Sequence, residues 1–132
     1  DDGMQDAGGL AGLQAQVDVY GYYGGLRLMR AACKVFADLL LAASLPTVVR
    51  RGFRLRYSTT VPRSVGLAGS SALITACLRA LFKFHGVTPS ELGIREEVMP
   101  QVVLNVEANE LGISAGLMDR VCQHLGGLVA MD

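Results

Sequence analysis

The sequence predicts an α+β domain, and three patterns along its 132 residues carry that reading. Two segments, about 25–43 and 70–85, place apolar residues at the spacing of an amphipathic helix. Between them, residues 53–61 alternate strictly, which is the period of a strand with one face buried. Counting the segments up to residue 131, the order is helix, strand, helix, helix, helix, strand, which is not a regular βαβ repeat.

Each element has its own signals. In the first helix Met29, Ala32, Cys33, Phe36 and Leu40 fall on one stripe, Arg30, Lys34 and Asp38 lie off it, and Pro46 stands just past its end. In the strand Phe53, Leu55, Tyr57, Thr59 and Val61 share one side, while Arg54, Arg56, Ser58 and Thr60 share the other. Pro62 then removes a donor and ends it. The second helix carries Leu73, Ala76, Cys77, Ala80, Leu81 and Phe84 on its stripe, with Gly86 placed to cap it. A third is expected from Pro100, a residue tolerated in a first turn, to Leu111, and a fourth from about Gly116 to Leu125. Residues 127–131 read as a buried strand, and residues 1–12, rich in Gly, Asp and Ala, as a flexible lead-in.

Composition narrows the function classes. Hydrophobic residues make up 51% of the chain, enough for a real core and against disorder. Lys and Arg number 12 and Asp and Glu number 12, so the formal charge is zero, and nucleic acid, which demands a positive excess, is not the expected partner. The apolar run from Val35 to Pro46 contains Asp38 and is too short to span a bilayer, so no membrane partner is expected. Cys33, Cys77 and Cys122 form no CxxC pair and no disulfide framework. They read as small buried apolar side chains of a protein in a reducing compartment, the cytoplasm. His85 and His124 lack metal-ligand spacing and read as helix-end or surface residues.

The most informative segment is Pro62-Arg63-Ser64-Val65-Gly66-Leu67-Ala68-Gly69-Ser70-Ser71-Ala72, which follows the strand and opens the second helix. Its glycines permit backbone angles and close approaches that a Cβ forbids. The first turn of a helix presents unpaired N–H groups and the positive end of the helix dipole, so the segment is suited to a phosphate chain. It contains no Gly-Lys-Ser/Thr and is not a P-loop of the NTPase kind. On spacing alone it reads equally as a Gly-rich turn with a serine cap.

The second informative segment runs from Glu107 to Arg120 and holds Glu107, Glu110 and Asp119. Transfer of a phosphoryl group to a hydroxyl needs a carboxylate to take the hydroxyl proton and a hard cation with oxygen ligands to offset phosphate charge. Taken one at a time these acids read as solvated charges. Asp119, however, stands among Leu117, Met118, Val121 and Cys122, where a buried acid calls for a partner or a task. Arg120 is its neighbour, but consecutive helical side chains point apart.

The two segments, in this order, resemble the GHMP kinases. The first is similar to that superfamily's Gly-Leu-Gly-Ser-Ser-Ala signature, with Ala68 at a usual glycine position. The second is similar to its Gly-x-Met/Gln-Asp pattern through Gly112, Gly116, Met118 and Asp119. The stretches Gly21–Leu28, Cys33–Phe36, Val61–Arg63, Glu110–Ile113 and Asp119–Val121 resemble the plant-type glucuronokinases, so the likeness runs from about residue 20 to 132. It implies a fold like the ribosomal protein S5 domain 2 class and the cofactors ATP and Mg2+. It also implies nucleotide binding by Gly66, Leu67, Ala68, Gly69, Ser70 and Ser71, metal binding by Glu107 and Ser71 with Glu110 as second candidate, and Asp119 as catalytic base. The reaction implied is transfer of the ATP γ-phosphate to the anomeric hydroxyl of D-glucuronate, giving glucuronate 1-phosphate. No sugar-binding residue follows from the residues themselves: Tyr22, Tyr23 and Arg27 are candidates to lie near a sugar acid, but read first as a packed aromatic pair and a solvated cation.

The resemblance also implies pieces outside these 132 residues: a Pro-Gly-Arg-Val strand motif before them, and a C-terminal domain with another Gly-rich loop after them. Residues 13–132 are then expected to fill most of the N-terminal, ATP-binding domain without its first strands. The missing domain, or a protein partner, would cover exposed faces. The alternative is a kinase-derived module without turnover that serves as a structural or interaction unit.

Overall fold

Among the described residues four longer helical elements carry the fold, and their apolar stripes decide how they pack. The computed structural model describes residues 9–13, 26–45, 52–62 and 66–130; Tyr22, Tyr23, Pro46, Arg63 and Met131 lie outside them. Helix α1 spans Arg27–Ala42 and α2 spans Gly69–His85. Helix α3 spans Met99–Asn105 and continues into a wider π-helical turn at Val106–Glu110, and α4 spans Met118–Leu125. Two single 3-10 turns, Pro89–Leu92 and Glu96–Val98, lead from α2 to α3.

The core forms where the stripe of α1 meets that of α2. Phe36 is fully buried and sets its ring edge-on to Phe82, with centroids 5.1 Å apart and planes at 83°. This is a geometry that aromatic quadrupoles favour. His85, the last residue of α2, is buried and stacks on Phe36 at 5.2 Å, with Phe53 and Phe84 against its edges. It is at a helix end, as expected, and an aromatic cluster encloses it. His124, near the end of α4, meets Glu96 with Nε2 3.0 Å from Oε1. Residues 9–13 are helical and Leu10 is fully buried, so this part of the expected lead-in packs into the core.

The ends of the elements follow local chemistry. α2 stops at Gly86, which takes the left-handed conformation at φ 64°, while Val87 N–H closes back on the Phe82 carbonyl at 3.1 Å. Thr88 and Glu91 cap the first 3-10 turn reciprocally, with Pro89 at its first position.

Neither expected strand is formed among the described residues. Phe53 and Leu55 are half-buried and Arg54 and Arg56 exposed, so the two-sided pattern survives at the start of the first segment. Among the described residues the one hydrogen bond of its backbone, Val61 N–H to the Thr59 hydroxyl at 3.1 Å, is local. Residues 127–130 are likewise irregular, and Leu128 is 104% exposed rather than buried. Alternation fixes which side chains face the core, but a strand exists only through hydrogen bonds to a neighbour. These two segments find none among the described residues.

Cys33 and Cys77 are buried, and Cys122 is half-buried; all three are free thiols. Hydrogen bonding to Cys33, together with burial, raises the Cys77 thiol well above its ordinary range, so it stays protonated and inert at neutral pH. Among the described residues no helix is long and apolar enough to cross a membrane.

One ion pair ties α1 to the π-helical turn. Lys34 Nζ lies 2.9 Å from Asp38 Oδ2 on the next turn of α1 and 3.3 Å from Glu110 Oε1. The hydrogen bond to Asp38 and the two carboxylate charges outweigh burial and raise the Lys34 pKa above its ordinary 10.5. A raised pKa means that the folded state holds the proton more tightly. The stabilisation is therefore complete below pH 10.5 and is lost as pH climbs through the raised value. In denaturant unfolding, wild type is expected to lose more stability between pH 10 and pH 12 than Lys34→Met; equal losses would mean that the pair contributes nothing.

Candidate active site

The Gly-rich loop and the acidic segment meet at the N-terminus of α2. Ser70, the second residue of that helix, donates its hydroxyl to Glu107 Oε1 at 2.8 Å. Glu107 comes from the π-helical turn and is 0% exposed. Its other oxygen, Oε2, accepts from Arg120 twice, from Nε at 2.9 Å and from Nη2. Arg120 is itself buried, and its Nη1 donates to the Gly116 carbonyl at 2.7 Å. Two charges removed from water together cancel, and every strong donor in the set has an acceptor.

Arg120 also joins the two acids. Its Nη1 stands 3.8 Å from Asp119 Oδ2. Asp119 lies in the first turn of α4 with its side chain 49% exposed. The apolar neighbours that suggest burial in the sequence, Leu117 and Met118, are themselves exposed, so Asp119 faces solvent beside a buried ion pair. Glu110 points to Lys34 instead.

Ser71 takes a different direction from Ser70. It is fully buried, and its hydroxyl donates to the Ala68 carbonyl at 2.9 Å. Gln123 on α4 donates from Nε2 to that carbonyl at 3.1 Å and to the Ser71 hydroxyl at 3.0 Å. Thus α4 grips the loop twice, through Arg120–Glu107–Ser70 and through Gln123. Sequence reading misses both Arg120 and Gln123. Their signal is the three-residue spacing that puts them on one side of α4, but nothing local says what that side meets.

The loop enters α2 under strain. Ala68 sits at φ 53° and ψ 39°, the left-handed region, and Gly66 at φ 75°. Glycine takes such angles without penalty, whereas alanine is disfavoured there by about 1–2 kcal/mol. Among the described residues no side chain caps the first turn of α2, which opens beside the exposed Gly66 and Leu67. A cavity of about 270 Å3 lies elsewhere, lined by Thr75, Lys83, Met99 and His124 among others, and includes none of these residues.

The N-terminus of α2 is thus fastened through Ser70 to a carboxylate that stands twelve positions before an exposed aspartate. The family model for the GHMP kinases N terminal domain matches residues 27–127. The chain belongs to the GHMP kinases. It is 49% identical over 113 residues to a protein named probable glucuronokinase 2 of Arabidopsis thaliana, and 46% identical over 112 residues to glucuronokinase 1 of the same plant. Each match covers 85% of this chain but 30% of the relative, so the chain spans under a third of the length of these kinases. No solved structure matches it.

GHMP kinases are expected to use magnesium, and the donor types at this site, one carboxylate and two hydroxyls, are those of a hard cation. As arranged, they do not fit one. Both oxygens of Glu107 already accept hydrogen bonds, a guanidinium lies against it, and Ser71 is turned to a backbone carbonyl. Among the described residues no group of three or more His, Cys, Asp or Glu gathers.

The strained loop yields a direct expectation. Ala68→Gly removes the left-handed penalty and adds about 0.4–1 kcal/mol of unfolded-state entropy. The net effect is a gain of about 0.5–1 kcal/mol in chemical denaturation; a fall in stability would show that Ala68 is not strained.

Proposed function

We propose that this chain is the nucleotide-binding part of an ATP-dependent sugar kinase that phosphorylates the anomeric hydroxyl of D-glucuronate. The observation that carries the reading is the joining of the α2 N-terminus to the Asp119 helix through Ser70, Glu107 and Arg120. That joining supports the reading because it ties the start of the helix after the Gly-rich loop to an exposed carboxylate. The names of the Arabidopsis relatives support the substrate.

In this reading the N–H groups of Gly69, Ser70 and Ser71, with the dipole of a seventeen-residue helix, receive the phosphates of ATP, and Gly66, Leu67 and Ala68 form the wall of the loop. Glu107 and Ser71 do not hold magnesium in this arrangement; bound with the nucleotide, the ion would supply charge neutralisation for the phosphates. Asp119 accepts the proton of the anomeric hydroxyl as that oxygen bonds to the γ-phosphorus. The bond from the γ-phosphorus to its bridging oxygen breaks, and ADP leaves with the electron pair. The half-exposed position of Asp119 suits a group that must meet a substrate.

The rest of the reading follows the same frame. The alternating segment 53–61 becomes a sheet strand, as the S5 domain 2-like α+β fold requires, when a neighbour supplies its hydrogen bonds. Leu117, Met118, Leu125 and Leu128 each expose apolar surface that a second domain or a partner would cover. That surface also favours a second reading, an interaction module without turnover. Free thiols suit a cytoplasmic protein.

A coupled ADP-release assay on the longest natural form of the protein, with ATP, magnesium and D-glucuronate, decides between them. Turnover is expected, with a fall of about 10²–10⁴-fold in Asp119→Asn, the range of a lost general base. No ADP release with glucuronate or a panel of other sugars would leave the interaction module.

A further inference from the structure

The misfit between this site and a metal ion has its own explanation in the geometry. Glu107 is the one fully buried carboxylate among the described residues, and it is the residue that the family resemblance offers as a metal ligand. The positive charge beside it belongs to Arg120, which presents two N–H groups to one carboxylate oxygen. Ser70 satisfies the other oxygen. The Gly116 carbonyl takes a further N–H of Arg120, so the guanidinium is held from two sides and cannot turn away without leaving an acceptor unpaired.

We infer that Arg120 is the resident cation of this site, and that Glu107 is a positioning residue that clamps the phosphate loop to the Asp119 helix rather than a ligand for magnesium. The inference rests on the kinase reading, and it concerns how that site is built. Three links form the clamp: Ser70 on α2, Glu107 on the π-helical turn, and Arg120 on α4. Such a wide turn is uncommon within helices and recurs at functional sites. Here it hands the chain from α3 to the segment before α4, with Ile113 N–H bonded to the Glu107 carbonyl at 2.7 Å. Main chain and side chain of Glu107 are therefore both fixed. Arg120 in turn sets the position of Asp119, the residue before it, through the backbone and through the 3.8 Å approach of Nη1.

The clamp and the metal ligand differ in what they predict. A metal ligand sits idle until the cation arrives, so its loss weakens magnesium-dependent nucleotide binding and spares the empty protein. A clamp acts in the empty protein, and its charges are worth more as a pair than singly, because either alone is a buried unpaired charge.

The test uses the full natural protein. Thermal unfolding without ligand is measured for wild type, Glu107→Gln, Arg120→Met and the double variant. Binding of the ATP analogue AMP-PNP is then titrated with magnesium for wild type and Glu107→Gln. The clamp predicts that each single change lowers Tm by several degrees and that the double change lowers it by less than the sum of the two. It also predicts that the magnesium concentration for half-maximal AMP-PNP binding shifts less than about twofold in Glu107→Gln, while kcat falls tenfold or more. Additive Tm losses, or an unchanged Tm with a tenfold higher magnesium requirement, would overturn it. If wild type binds no AMP-PNP at any magnesium concentration, the kinase reading fails, and the ligand-free cycle still decides whether the clamp exists.

Discussion

The ion pair of Arg120 with Glu107 is the constraint on which the rest of the site depends. It has two buried charges at its centre, and on its rim are the loop serine Ser70, the Gly116 carbonyl and Asp119. Removing one member of a buried pair is destabilising by about 3–5 kcal/mol, because the other is left charged in a medium that solvates it poorly. The helices therefore cannot drift apart independently: α2, the π-helical turn and α4 must arrive together for the charges to cancel. Gln123 adds a second attachment from α4 to the loop through the Ala68 carbonyl.

This dependence explains why strain is tolerated where it is found. Ala68 holds a left-handed backbone that disfavours it, and its carbonyl is bonded by the Ser71 hydroxyl, the Gln123 amide and the Ala72 N–H. Three donors on one oxygen fix the junction where the chain enters α2. Behind it, the aromatic cluster of Phe36, Phe82 and His85 anchors the far end of the same helix. α2 is thus secured at its C-terminus by apolar packing and at its N-terminus by polar bonds.

What the sequence discloses and what it hides divide along the range of the interaction. α2 is legible almost to the residue, Ser70–His85 expected and Gly69–His85 found, because periodicity, a serine start and a glycine stop are local properties. The reciprocal cap of Thr88 and Glu91 is local too, and its residue spacing is visible in the sequence. The π-helical turn is not legible, since nothing in Val106–Glu110 distinguishes it from the helix it extends. Residues 53–61 carry a true alternation without the hydrogen-bonding neighbour that makes a strand. The motif residues Ser70, Glu107 and Asp119 stand out by type and order. Arg120 does not, because its partner lies thirteen positions away and reaches it only through the turn that reverses the chain at Gly112.

A crystal structure of the full protein with magnesium and a non-hydrolysable ATP analogue tests the central claim most directly. In that structure Arg120 is expected still to bond to Glu107, the analogue's phosphates to lie on the N–H groups of Gly69–Ser71, and the magnesium to be held by phosphate oxygens and water. A structure in which Glu107 has left Arg120 and coordinates the metal would contradict that claim.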